Sequence, residues 1–126
     1  MGIIEGTTEL KTVQADYDFA VDGGAVSTIT LRGDNTIPTG SVITGGYVDI
    51  ETACLSATGT IAVQVESAAD MLAASLQAAL TTGRKSVIPV GTGATSVKTT
   101  AERNIKIVVA TAAFTAGKFR VVLFYK

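Results

Sequence analysis

The sequence predicts an antiparallel β-sandwich or jelly-roll-like barrel of about eight strands with one short helix, and three observations carry that prediction. Apolar and polar residues alternate over short runs through most of the chain. Corners rich in Gly, Thr and Asn interrupt those runs at close spacing. Hydrophobic residues make up 47 % of the chain and charged residues only 17 %, a balance that favours a packed core over disorder. At 126 residues the chain has the size of one domain. Residues 1–10 read as a polar N-terminal arm and 11–126 as a single β domain.

Taken in order, Val13, Ala15, Tyr17, Phe19 and Val21 alternate with Thr12, Gln14, Asp16 and Asp18, the pattern of a half-buried strand with an acidic outer face. Asp22-Gly23-Gly24 supplies a tight turn, and the β-branched run 25–32 is the expected hairpin partner. Gly33-Asp34-Asn35 and Ile37-Pro38-Thr39-Gly40 break the chain again. The long β segment 41–53 follows, and Gly45-Gly46 in its middle marks a bulge or the close approach of another backbone. After a turn at 56–59, Ile61, Val63 and Val65 alternate, so 41–53 and 60–66 form a second expected hairpin.

One segment departs from β patterning. Ser67 with Asp70 three residues on is a weak capping box, and Ala68, Met71, Leu72, Ser75, Leu76, Ala79 and Leu80 fall on helical spacing. This predicts an amphipathic helix over 67–80. Residues 84–90 read as a short strand held at a sheet edge by Pro89, 94–100 as a polar strand after the Gly91-Thr92-Gly93 turn, and 105–126 as a closing hairpin.

In that closing hairpin Phe119, Val121, Leu123 and Tyr125 point one way, and Arg120, Val122 and Phe124 the other. A strand apolar on both sides wants cover on both faces. The expectation is a core face of Phe119, Val121, Leu123 and Tyr125, with Val122 and Phe124 buried or facing a neighbouring subunit. Arg120 stands beside them, and Asp16 and Asp18 of the first strand are its acidic counterparts, so these five residues form the expected interface.

The net charge is −1, yet residues 1–70 hold every carboxylate except Glu102, and their only bases are Lys11 and Arg32. Either strands of the two halves interleave and neutralise one another, or an acidic and a basic edge meet head to tail between subunits. Nucleic-acid binding is not expected, because the bases are scattered and no aromatics accompany them. No secretory leader pattern and no apolar run of membrane-spanning length are read, so no membrane association is expected.

Catalysis finds little to work with. The chain has no histidine and one cysteine, which removes the commonest general base, the Ser-His-Asp arrangement and thiolate clusters. Asp16/Asp18 and Asp49/Glu51 each share a strand face, and a solvated face explains them better than a glycosidase pair or a calcium site. Gly91–Thr95 lacks the Lys-Ser/Thr ending of a phosphate loop. Arg32-Gly33-Asp34 spells an integrin-type tripeptide in which Gly serves a turn. Tyr17, Tyr47 and Tyr125 are the residues a sugar-binding module would draw on. No enzyme activity, cofactor or metal is expected.

The runs DYDFAVDGGAVSTITLRGDNTIPTGSVITGGYVDI (16–50), TTGRKSVIPVGT (81–92) and TAGKFRVVLFYK (115–126) resemble auxiliary head proteins of tailed bacteriophages, the capsid decoration or cement proteins. The resemblance spans most of the chain and includes no catalytic signature. It implies a virion structural protein, assembled in the host cytoplasm, that sits on the capsid surface and bridges subunits of the major capsid protein, as a homo-oligomer and most simply a homotrimer. A head-fibre, tail or receptor- or carbohydrate-binding virion module is the alternative.

Overall fold

The computed structural model describes residues 10–33, 36–87 and 97–126. Ten strands are assigned among them: β1 (Lys11–Asp18), β2 (Ser27–Thr30), β3 (Thr36–Ile37), β4 (Ile43–Leu55), β5 (Thr60–Gln64), β6 (Leu72–Leu76), β7 (Gly83–Val87), β8 (Arg103–Asn104), β9 (Lys106–Ala110) and β10 (Ala116–Tyr125). One helical turn, α1 (Phe19–Asp22), follows β1, and a 3-10 turn (Gln77–Ala79) follows β6. The expected Pro89 edge, the Gly91–Thr95 turn, Asp34, Asn35 and most of the arm lie outside the described residues.

Eight of the strands form two four-stranded antiparallel sheets, in the orders β1-β10-β4-β7 and β2-β9-β5-β6, while β3 and β8 pair separately. Along the chain these eight pass from one sheet to the other at nearly every connection. Successive strands therefore face each other across the core, as in a jelly roll. Val13, Ala15, Tyr17, Val48, Ile50, Phe119, Val121 and Leu123 of the first sheet meet Ile61, Val63, Ile107 and Val109 of the second, all buried. The expected core face of β10 is the observed one.

The three expected hairpins are corrected by this topology. β1 pairs with β10 and β2 with β9, leaving only an isolated bridge between Asp16 and Arg32. β4 and β5 lie in different sheets, and so do β9 and β10. Each supposed hairpin turn is an arch between layers. Alternation shows which residues face the core but not which sheet a strand joins.

The expected helix over 67–80 is also corrected, to strand β6 and the 3-10 turn. The Asp70 carboxylate, 2 % exposed, accepts hydrogen bonds from the backbone N–H groups of Val65, Glu66 and Ser67, each at 2.9 Å. Ala69 sits at φ 54°, in the left-handed region, which a helix cannot pass through. The Met71 N–H then donates to the Val63 carbonyl, and β6 pairs with β5. Sheet pairing overrides a weak helical propensity.

Phe19–Asp22 is helical where a continuing strand was expected. Asp18 caps the turn by accepting from the Ala20 N–H at 3.0 Å, so Val21 leaves the core and is exposed. The Gly45-Gly46 expectation holds: a side chain on Gly46, at φ +155°, would strike the Val122 carbonyl of β10. Cys54 is buried, against Gly117.

Candidate functional site

The five expected interface residues lie on one surface, the outer face of the β1-β10-β4-β7 sheet. Alternation along β1 turns Val13, Ala15 and Tyr17 inward and Gln14, Asp16 and Asp18 outward; along β10 it turns Arg120, Val122 and Phe124 outward. The register then builds rows across the sheet. Asp16 stands opposite Arg120, Arg120 opposite Asp49, and Asp49 opposite Arg84. The neighbouring row runs Gln14, Val122, Tyr47, Ser86.

The charged row is alternately acidic and basic because β10, from the basic half of the chain, is inserted between two strands of the acidic half. Arg120 Nε lies 2.7 Å from Asp16 Oδ1 and Lys118 Nζ 3.8 Å from Glu51 Oε2. Beyond α1, Arg32 holds Asp22 through two hydrogen bonds of 2.9 and 3.1 Å. Burial alone would raise the Asp22 carboxyl; the Arg32 hydrogen bonds, the Asp18 N–H and the Arg32 charge outweigh it and hold the group below its ordinary value. The charges of the two halves thus interleave and neutralise locally. Exposed pairs of this kind contribute at most about 1 kcal/mol each, and they orient a surface more than they stabilise it.

The apolar row is the other component. Val122 is only 5 % exposed although it points away from the core. Phe124 and Tyr47 lie beside it with ring centroids 6.2 Å apart, and the Arg84 guanidinium sits 4.2 Å from the centre of the Tyr47 ring. Such a cation–π contact draws the guanidinium to the face of a ring that is itself half-buried. Between the charged row and α1 runs a groove of about 710 Å³ lined by Asp16, Asp18, Arg32, Asp49, Lys118 and Arg120, among others. Among the described residues, no group of three or more metal-ligating side chains is placed to hold an ion.

Of the five residues, Asp18 has a structural duty as the α1 cap, while the other four present themselves outward. Sequence reasoning missed Tyr47 and Arg84 as partners of this face. Their meeting depends on β4 pairing with β7 across an intervening strand pair of the other sheet, which no local pattern reports. Asp49 and Glu51 were legible as one exposed strand face, and both are exposed on β4.

No protein-family model matches this sequence, and no curated protein does. Solved structures of similar fold do exist. A chain in the capsid asymmetric unit of cyanophage Pam1 superposes with a TM-score of 0.64 at 22 % identity, covering 93 % of this chain and 84 % of that one. A chain of the acid-stable capsid of Helicobacter pylori bacteriophage KHP30 gives 0.63 at 13 % identity, over 94 % and 87 %. A chain of the capsid of Ralstonia phage GP4 gives 0.65 at 16 % identity, over 94 % and 84 %. At these identities the likeness is one of fold, and it extends over nearly the whole of each chain.

Proposed function

We propose that this protein is a structural component of a tailed-phage virion, and within the virion a capsid decoration protein. It binds the outside of the head, bridges subunits of the major capsid protein and has no catalytic role. One observation carries the reading: 93–94 % of the chain shares its fold with a chain from each of three phage capsids. Each of those chains is only slightly longer than this one, which suits a small auxiliary part. The outer face of the β1-β10-β4-β7 sheet supplies what such a part needs for contact with neighbouring copies, an apolar centre of Val122 and Phe124 rimmed by oriented charges. Copies associate through it as a trimer.

The test uses heads assembled without this chain. Added purified protein should co-sediment with them and raise the temperature at which they rupture, and immunogold should label heads. Heads that neither bind the protein nor change their rupture temperature, or label confined to tails, would overturn the proposal. The half-open Tyr47–Arg84–Phe124 cluster favours one other reading, a glycan-binding virion module, which predicts signal on a glycan array.

A further inference from the structure

The two ends of the sandwich differ in chemistry. At the end where β1 and β4 finish and β10 begins, four loops meet: residues 19–26, 56–59, 77–82 and 111–115. Together they carry one charged side chain, Asp22, which Arg32 neutralises, in a chain that is 17 % charged. Val21, Val26, Leu55 and Leu76 are 65, 55, 50 and 53 % exposed there, and they are four of the five exposed large hydrophobics among the described residues. The opposite end presents Lys11, Glu66, Lys98, Arg103 and Lys126.

This apolar end is also firmly built. Phe114, 2 % exposed, plugs its centre. The Phe114 N–H donates to the Gly24 carbonyl at 2.8 Å, Thr115 N–H to Leu55 at 2.9 Å and Cys54 N–H to Leu80 at 3.0 Å. The Gln77 side chain accepts from the Ser56 N–H at 2.9 Å. All four loops are therefore tied to their neighbours, so the apolar side chains are displayed on a preorganised base.

We infer that this end is the surface that contacts the capsid shell, and that it fits an apolar, uncharged patch repeated on the major capsid protein. The inference rests on the decoration reading above. Two arguments select the occupant. The opposite end is charged, so head-to-tail stacking of copies would bury charge against apolar loops at a high cost. Two sheets ~10 Å apart, each of four strands ~4.8 Å apart, give an end of on the order of 400–500 Å² with its side chains. Two such ends together would bury roughly 900 Å², below the ~1,200–2,000 Å² of stable specific interfaces. A single end-to-end contact between copies is too small to last, whereas an oligomer presenting several such ends to a repeating shell gains by multivalency.

The experiment compares wild type, a Val26→Lys/Leu76→Lys double variant and a Thr28→Lys control on the outer face of the β2-β9-β5-β6 sheet, each co-sedimented with heads assembled without this chain. The inference expects wild type and T28K to bind alike and the double variant to bind at least tenfold more weakly, with unchanged melting temperature and oligomeric mass. Should the double variant misfold, the milder Val26→Ser/Leu55→Ser pair replaces it. A folded end variant that binds like wild type overturns the inference and leaves the decoration reading standing. One that loses oligomeric mass shows that a second copy is the occupant, and also overturns it. Wild type failing to bind heads overturns the decoration reading itself.

Discussion

Gly46 of β4 and Val122 of β10 approach so closely that no side chain fits between them: a Cβ on Gly46 would strike the Val122 carbonyl oxygen and come within 2.9 Å of the Leu123 Cα. Its φ of +155° is in addition one that other residues rarely adopt. Gly45, one residue earlier, has nothing within 4 Å of where its Cβ would stand. Gly46→Ala should therefore destabilise the protein by about 2–4 kcal/mol, from backbone strain plus overpacking, and Gly45→Ala by less than about 1 kcal/mol. Chemical denaturation of both variants measures the contrast. Equal losses would show that β10 can shift to make room.

Asp70 uses both carboxylate oxygens as acceptors, Oδ1 from Val65 and Oδ2 from Glu66 and Ser67. An amide in its place would point an NH₂ group at backbone donors. Asp70→Asn should thus cost nearly as much as Asp70→Ala, each about 2–4 kcal/mol, read from denaturation midpoints. If Asn retained wild-type stability, the turn would have to tolerate rearrangement of its donors.

The same turn shows how far the sequence could be read. Alternation in 11–18, 60–65 and 116–125 reports inward and outward faces correctly, because burial of one strand face is a local demand. Partner choice is not local. The charge-paired row from Asp16 to Arg84 needs β10, formed last in the chain, between β1 and β4, and nothing in a short window specifies that insertion. Over 67–80 the local signal pointed the wrong way: Ser67 and Asp70 looked like a helix start because a carboxylate that collects N–H groups serves a tight turn equally well. The apolar end of the sandwich was hidden for the same reason as the hairpins, since its four loops are far apart in sequence and meet only through the jelly-roll order.

Glu66 provides a pH test. The Arg103 guanidinium, 2.9 Å from its Oε1, together with the Thr100 hydroxyl and N–H, holds its carboxyl at about 2, against an ordinary 4.5. A carboxyl depressed in the folded state stabilises it fully above the unfolded value, and that stability is lost as pH falls through the folded value. Glu66→Gln should melt below wild type by a constant margin from neutral pH down to about pH 5, and the two curves should converge as pH approaches 2. Melting temperatures across that range decide it. A margin that persists unchanged at the acid end would mean that the amide loses packing or hydrogen bonds independent of charge.

Phe124 tests the outer face. It is half-buried on β10, opposite Thr12 and Gly45 in register and beside Tyr47, so it contributes little to the core that Phe119, Val121 and Leu123 fill. Phe124→Ser removes part of one partly exposed ring, which should lower stability by only about 1 kcal/mol. If this face joins copies of the protein, the same change opens a gap in the apolar centre of the contact, where truncation typically costs 2 kcal/mol or more, on the order of thirtyfold in affinity. The expected result is a folded protein of reduced mass by size-exclusion with light scattering, while Thr28→Ser, on the outer face of the other sheet, leaves the mass unchanged. A Phe124→Ser protein that kept wild-type mass at micromolar concentration would exclude this face from self-association and leave Val122 covered by its own neighbours alone.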